Sequence, residues 1–166
     1  DLHRRRHSFP TRRSSDLRAF SSLMDRNPEW RFVVCTSRRR WGSGEVRVEA
    51  TKLYPRLQVY EGVTKDEYLD LVAASSVMLS CSPEENFGYC ILEAAALGCL
   101  PVLKNCASHP ELLGEEFSAL LYDEYRQVVE VVEHAVRTPR PNITQVADKY
   151  KTSLSRIVEL CLGEQR

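Results

Sequence analysis

Residues 80–103 read S-C-S-P-E-E-N-F-G-Y-C-I-L-E-A-A-A-L-G-C-L-P-V-L. The stretch starts at the end of an apolar strand, passes through a Pro-containing loop and an Ala-rich helix, stops at Gly98 and enters another apolar strand. A strand, a helix and a second strand in this order form one unit of a parallel sheet. The stretch therefore predicts an α/β fold.

On both sides of this stretch, short apolar runs alternate with helical patterns. Nearly continuous apolar runs are expected where helices cover both faces of a sheet. We therefore expect one doubly wound parallel sheet, which is incomplete at its N-terminus because residue 18 falls in mid-element. The predicted strands are Trp30–Thr36, Leu57–Tyr60, Val77–Cys81, Leu100–Leu103 and Ala119–Tyr122.

Several helices have recognisable start or stop signals. Thr64-Lys65-Asp66-Glu67 is a capping box, in which each end residue can bond to the backbone of the other. A second helix is predicted over Asp123–Val136, where Val and Ala recur at helical spacing before Pro139. Asn142 is expected to cap the last helix.

Residues 1–17 differ in character from the rest of the chain. His7–Leu17 reads HSFPTRRSSDL, which corresponds to a common short-read sequencing adapter translated in one frame. A basic, disordered tail is the alternative, but a tail has no reason to back-translate along an adapter. We therefore expect residues 1–17 to be non-native and residues 18–166 to form one domain.

Composition limits the classes of function. Residues 18–166 carry 18 basic and 21 acidic side chains, a net charge of −3, which does not support a basic nucleic-acid footprint. No apolar run is long enough for a transmembrane helix. The cysteines lack metal-type spacing and are expected to be buried, reduced thiols of a cytosolic protein rather than disulfides or a zinc site. They are Cys35, Cys81, Cys90, Cys99, Cys106 and Cys161.

The loop Ser82–Gly88 joins a predicted strand to a helix, at the edge where open α/β sheets bind ligands. The helix start near Gly88 offers unpaired N–H groups and the positive end of the helix dipole, which suit a diphosphate. Glu85 and Glu93 can each accept two hydrogen bonds from neighbouring hydroxyls, and they lie at most about 12 Å apart along a helix. These features indicate an anionic, hydroxyl-rich ligand.

The segments Glu85-Asn86-Phe87-Gly88, Leu92-Glu93-Ala94, Gly98 and Pro101-Val102 together resemble the signature of retaining glycosyltransferase family 4, the glycosyl transferases group 1. The resemblance covers about residues 19–136 and implies the Rossmann-like, C-terminal donor-binding half of a GT-B fold. It implies that Glu85 contacts hydroxyls of the transferred sugar as the catalytic carboxylate, and that Glu93 holds the ribose. The implied donor-binding residues are Glu85, Asn86, Phe87, Gly88, Tyr89, Cys90 and Glu93.

Both carboxylates have a plainer alternative. Glu85 could complete a capping box with Ser82, and Glu93 could be an exposed helix residue. The apolar neighbours of Glu93, Ile91-Leu92 and Ala94–Ala96, argue against the second alternative, because they would half-bury an unpaired charge.

By this resemblance, the full-length protein is a hexosyltransferase-type enzyme that transfers a sugar from a nucleotide diphosphate sugar to an unknown acceptor with retention. Catalysis would rest on positioning and electrostatics. No cofactor and no metal are expected, because there is no Asp-x-Asp motif or His cluster. The family's diphosphate-gripping Arg and Lys have no counterpart here, so this chain alone is expected to be inactive.

Other members of the family offer alternatives. The run Lys104–Leu112 departs from the commoner Gly-rich loop and is similar to the tRNA-queuosine mannosyltransferase subgroup, whose donor is GDP-mannose. A nucleic acid is an expected partner only under that interpretation. A sugar-nucleotide epimerase and a non-catalytic nucleotide-sugar-binding module also remain open.

Three further signals are weaker. Arg38–Arg40 are predicted to be a solvated loop rather than a phosphate contact. Tyr60–Val63 ends a strand and is either part of a base pocket or an ordinary turn. His109 and His134 are predicted to be surface residues, because neither belongs to a catalytic Ser or Cys arrangement.

Overall fold

Parallel strands and connecting helices make up the part of the chain described by the computed structural model, which comprises residues 21–36, 57–80, 88–139 and 141–150. The chain divides into two units, Asp1–Tyr68 and Leu69–Arg166. The first unit contains a helix over residues 21–26 (α1) and the strands β1 (Phe32–Thr36) and β2 (Leu57–Glu61). The two strands pair in parallel, with Phe32 opposite Leu57.

Helix α2 (Lys65–Ala73) crosses the boundary between the units. The second unit contains a parallel sheet with the order β3-β4-β5. Its strands are β3 (Val77–Ser80), β4 (Leu100–Lys104) and β5 (Leu121–Tyr122). Its helices are α3 (Tyr89–Ala96), α4 (His109–Leu113), α5 (Val128–Arg137) and α6 (residues 144–150), with 3-10 helices at Glu115–Leu120 and Tyr125–Gln127.

The core of the second unit is built around the central strand β4, which is buried along four of its five residues. Helices α3 and α5 pack against β4, because each turns an apolar stripe toward the sheet. Each Å² of apolar surface that this packing removes from water stabilises the fold by about 25 cal/mol. The most buried side chains here are Ile91, Ala94, Ala95, Leu100, Val102, Leu103 and Val128.

The predicted α/β fold with parallel strands is confirmed, and the differences in element bounds have local causes. Ala119 and Leu120 lie in a 3-10 helix rather than in β5. The helix predicted from Asp123 begins as an α-helix only at Val128. The Glu124 N–H donates to Gln127 Oε1 at 2.7 Å in a capping box, which starts a 3-10 turn first. The single-domain arrangement of residues 18–166 stays a prediction.

The capping box before α2 forms as predicted. The Thr64 backbone N–H donates to Glu67 Oε2 at 2.7 Å, and the Glu67 N–H donates to the Thr64 hydroxyl oxygen at 3.3 Å. The Thr64 hydroxyl also donates to Glu67 Oε2, at 2.9 Å. These bonds hold the pKa of the exposed Glu67 carboxyl below its ordinary value, with the backbone bond as the larger cause.

Gly98 ends helix α3, as the Ala-rich pattern predicted. Its φ of 76° is left-handed. The Cys99 N–H donates to the Ala94 carbonyl at 2.9 Å and the Gly98 N–H donates to the Ala95 carbonyl at 3.0 Å. This pair of bonds is a Schellman motif, which turns the chain directly into β4.

The cysteines match the prediction only in part. Cys35, Cys90, Cys99 and Cys106 are free thiols. Cys99 is buried, but Cys90 is exposed, because it is the second residue of α3 and lies away from the sheet. Burial raises the pKa of the Cys35 thiol. Cys81 and Cys161 lie outside the described residues.

Candidate functional site

Three strand ends and the start of helix α3 lie at the carboxyl edge of the β3-β4-β5 sheet. Strands β3, β4 and β5 are parallel, so Ser80, Lys104 and Tyr122 end on the same side of the sheet. Helix α3 leads back to the start of β4, so its first turn also lies at this edge. An edge of this kind is where open α/β sheets bind ligands.

Gly88 shapes the start of α3. Its backbone is left-handed, with φ 77° and ψ 42°, and its carbonyl accepts from the N–H groups of Ile91 and Leu92 at 2.9 and 3.1 Å. A residue with a Cβ would be strained in this conformation. The predicted helix start near Gly88 is therefore confirmed. The first turn of α3 contains no acidic residue, so the positive end of its dipole is not neutralised from within the helix.

Glu93 lies on the outer face of α3. Ile91, Ala94 and Ala95 are buried against the sheet, and helical spacing places Glu93 on the opposite face, one turn after Tyr89. The carboxylate-bearing residue is nevertheless only half-exposed. The half-burial predicted for Glu93 is therefore present. Of its apolar sequence neighbours, Ile91, Ala94 and Ala95 face the core, whereas Leu92 is half-buried and Ala96 is exposed.

Two other residues of the predicted donor site, Tyr89 and Cys90, are part of the described structure. Tyr89 is 65% exposed and Cys90 is exposed, so both side chains are accessible at the start of α3. Glu85, Asn86 and Phe87 lie outside the described residues, as does Ser82 in the alternative capping box. Their roles stay predictions.

The loop between β4 and α4, residues 105–108, follows the carboxyl end of β4, which is the edge of the sheet where α3 also begins. The Asn105 N–H donates to the Tyr122 carbonyl at 2.8 Å, and the Asn105 side-chain amide donates to Asp123 Oδ1 at 2.8 Å. These two bonds tie the loop to the end of β5. Ala107 has φ 51°, an uncommon conformation for a residue with a Cβ, so the loop stores backbone strain.

His109 is the main correction to the sequence-based site. Predicted to lie at the surface, it is completely buried at the first position of α4. Its Nδ1 lies 2.7 Å from the carbonyl oxygen of Lys104, so the ring contacts the end of the preceding strand, β4. Its Nε2 is buried without a hydrogen-bond partner in the part of the chain that the structure describes. His134 is exposed, as predicted.

The prediction of a surface position for His109 depended on the lack of a nearby Ser or Cys arrangement, which carries no information about burial. The usable signal was local. His109 starts a short helix with Pro110 at its second position, directly after the loop of the central strand. Such a position faces the carboxyl edge of the sheet.

Tyr122 connects the two outer strands of this sheet. Its buried side chain reaches past β4, and its hydroxyl donates to the Ser80 carbonyl at 3.2 Å. Ser80 is the last residue of β3. Tyr122 thus holds the point from which the chain continues toward Glu85.

Two further predictions concern other parts of the chain. Tyr60–Val63 ends β2 in the first unit, and its predicted part in a base pocket stays a prediction. Arg38–Arg40 lie outside the described residues.

Within the described ranges, no group of three or more His, Cys, Asp or Glu side chains is arranged to hold a metal ion. No helix among these residues is long and apolar enough to cross a membrane.

The parallel α/β sheet and the Gly-started helix at its carboxyl edge agree with sequence comparison. The glycosyl transferases group 1 family matches residues 16–148, and the chain belongs to this family. The resemblance to glycosyl transferases group 1 is thereby confirmed, whereas membership of family 4 and retention stay predictions.

A curated relative is the tRNA-queuosine alpha-mannosyltransferase of Drosophila melanogaster. The two sequences are 25% identical over 118 residues, which is 71% of this chain and 30% of that protein. The chain therefore spans less than a third of the length of this relative.

Proposed function

We propose that this chain is the donor-binding part of a retaining glycosyltransferase that uses a nucleotide diphosphate sugar. The observation that carries the proposal is the family match over residues 16–148, which includes the helix that starts at Gly88. The complete enzyme would also need an acceptor-binding half. This chain alone is not expected to transfer a sugar.

The start of α3 is the proposed diphosphate site. Gly88 has no Cβ, so a phosphate can approach the backbone closely. The helix dipole supplies positive potential, and no acidic side chain in the first turn opposes it. Tyr89 and Cys90 of this turn are exposed, whereas Gly88 itself is buried.

Glu93 is the proposed ribose ligand. It lies five residues after Gly88, which is roughly 7.5 Å along a helix axis. A ribose attached to a phosphate at Gly88 can span that distance. A carboxylate can accept hydrogen bonds from both ribose hydroxyls at once. Glu85 is proposed to do the same for hydroxyls of the transferred sugar, with contacts from Asn86 and Phe87.

The chemistry proposed for this site is electrostatic. When the sugar leaves, negative charge grows on the diphosphate, and the positive end of α3 stabilises that charge. Glu85 and Glu93 would hold the sugar and the ribose so that the breaking bond is correctly oriented. This mechanism needs no metal ion or cofactor.

GDP-mannose is the donor that we propose first, with a tRNA as the acceptor. The likeness to the Drosophila tRNA-queuosine alpha-mannosyltransferase supports this choice, as does the sequence of the Lys104–Leu112 loop. Residues 18–166 carry a net charge of −3, so a tRNA would have to be held mainly by other parts of the enzyme.

The decisive experiment is a calorimetric panel of UDP-, GDP- and ADP-sugars on the full-length protein that contains this chain. We expect one nucleotide class to bind and Glu93→Ala to weaken that binding about tenfold or more, since a charged hydrogen-bond partner is lost. Glu130→Ala is the matched control, because Glu130 is an exposed carboxylate on α5. The donor affinity of Glu130→Ala should equal that of the wild type.

Two results would reject the proposal. One is the absence of binding by any donor, and the other is an unchanged affinity in Glu93→Ala. Product analysis separates the enzyme classes. A transferase requires an acceptor, whereas an epimerase converts the donor without one.

A further inference from the structure

His109 carries a hydrogen-bonding atom that the fold does not use. Its Nδ1 lies 2.7 Å from the Lys104 carbonyl oxygen. A carbonyl only accepts, so Nδ1 donates to it and carries a proton. Nε2 is buried and lacks a partner among the described residues. Buried polar atoms are rarely left in this state unless a ligand or a water molecule meets them.

The missing partner of Nε2 must be a hydrogen-bonding group. A hydroxyl group or a water molecule can both donate and accept, so either can meet Nε2 with or without a proton on that nitrogen. The nucleotide sugar of the proposed function presents many hydroxyl groups.

The position of His109 favours a ligand. It follows directly from the end of β4, on the edge where α3 begins. In the segment between β4 and His109, Asn105 and Ala107 are exposed. The left-handed backbone of Ala107 is a second, independent sign of strain in the same loop. Such strain is concentrated at ligand clamps and switch segments.

We propose that His109 is a specificity-determining residue, whose Nε2 forms a hydrogen bond with one hydroxyl of the bound nucleotide sugar after loop 105–108 shifts. This inference rests on the proposed function. The bond to the Lys104 carbonyl fixes the orientation of the ring and therefore the position of Nε2.

The test is a thermodynamic cycle on the full-length protein. His109→Asn keeps an amide donor near the Lys104 carbonyl but has no atom at the position of Nε2. Donor affinity is measured by calorimetry for the wild type and for this variant, with the intact donor and with a series of singly deoxygenated donors. For one of the hydroxyls, we expect its removal to lower the donor affinity of the wild type roughly 3- to 10-fold. The same removal should leave the donor affinity of His109→Asn unchanged. An equal loss in both proteins for every hydroxyl overturns the inference.

Nitrogen-15 NMR of histidine-labelled wild-type protein gives a readout that does not depend on a variant folding. The His109 Nε2 resonance should shift when the donor is added. A resonance that stays unchanged at saturating donor identifies a structural water as the partner and overturns the inference.

The two proposals fail separately. If a donor binds, and Glu93→Ala lowers the donor affinity while His109→Asn does not, only the role of His109 is rejected. If no nucleotide sugar binds, the proposed function is rejected and the role of His109 falls with it.

Discussion

The Tyr122 hydroxyl donates to the Ser80 carbonyl at 3.2 Å. This bond links the end of β5 to the end of β3, the two strands that flank the central strand β4. Ser80 is the last residue of β3 before the segment that carries Glu85. A stable position for Ser80 therefore limits where that segment can begin. Tyr122 acts on the candidate site through position rather than by ligand contact.

Tyr122→Phe should lower the free energy of unfolding by about 0.5–1.5 kcal/mol, the usual net contribution of one hydrogen bond. It should also weaken donor binding, because the segment leading to Glu85 becomes less restricted. Urea denaturation and calorimetry measure the two effects. Tyr150→Phe is the matched control, since it removes the 3.2 Å bond from Tyr150 to the Glu111 carbonyl. Equal effects of both variants on donor affinity would contradict the positioning role.

Glu67 should make the stability of the chain depend on pH. Its pKa is lowered in the folded state by hydrogen bonds from Thr64. A carboxyl with a lowered folded-state pKa stabilises the protein above its unfolded-state pKa, which is about 4.3, and loses that contribution as the pH falls through the folded-state pKa. The free energy of unfolding of the wild type and of Glu67→Gln should therefore differ at neutral pH. The difference should shrink below about pH 4. A difference that is constant with pH would show that the charge is not involved.

Features that depend on neighbouring residues were predictable from the sequence. The capping box of Thr64 and Glu67 involves residues three positions apart, and the stop at Gly98 is set by the last turn of its own helix. The start of α5 was misplaced even though its cause is local. The Glu124–Gln127 capping box was not recognised, because Glu is an uncommon first residue of such a box.

Features that depend on tertiary contacts were not predictable. The bond between Tyr122 and Ser80 joins residues 42 positions apart. The burial of His109 depends on the path of a strained loop that returns its ring to the Lys104 carbonyl. No periodicity in the sequence encodes either contact. The donor roles of Glu85 and Glu93 came from motif resemblance, and they stay predictions until donor binding is measured.

Ala107 offers a test of strain in the loop before α4. Its φ of 51° is left-handed, and glycine adopts this region without the steric cost that a Cβ imposes. Ala107→Gly should therefore raise the free energy of unfolding by about 0.5–1 kcal/mol. Ala119→Gly, in the 3-10 helix before β5, should lower it by a similar amount, since no left-handed backbone is relieved there. A loss of stability in Ala107→Gly would mean that the loop is not strained.

Gly88 and Gly98 form a matched pair at the two ends of α3, because both have a left-handed backbone. A Cβ at Gly98 meets no atom within 4 Å, so Gly98→Ala should cost only the conformational penalty of about 1–2 kcal/mol. Gly88→Ala should carry at least this penalty, because Gly88 is buried whereas Gly98 is partly exposed. It should also weaken nucleotide-sugar binding, since the added methyl group lies where the diphosphate is proposed to approach the backbone. Urea denaturation gives the stability of each variant, and calorimetry at a temperature where both are folded gives the donor affinity. If Gly88→Ala binds the donor as well as Gly98→Ala does, the diphosphate does not bind at the start of α3.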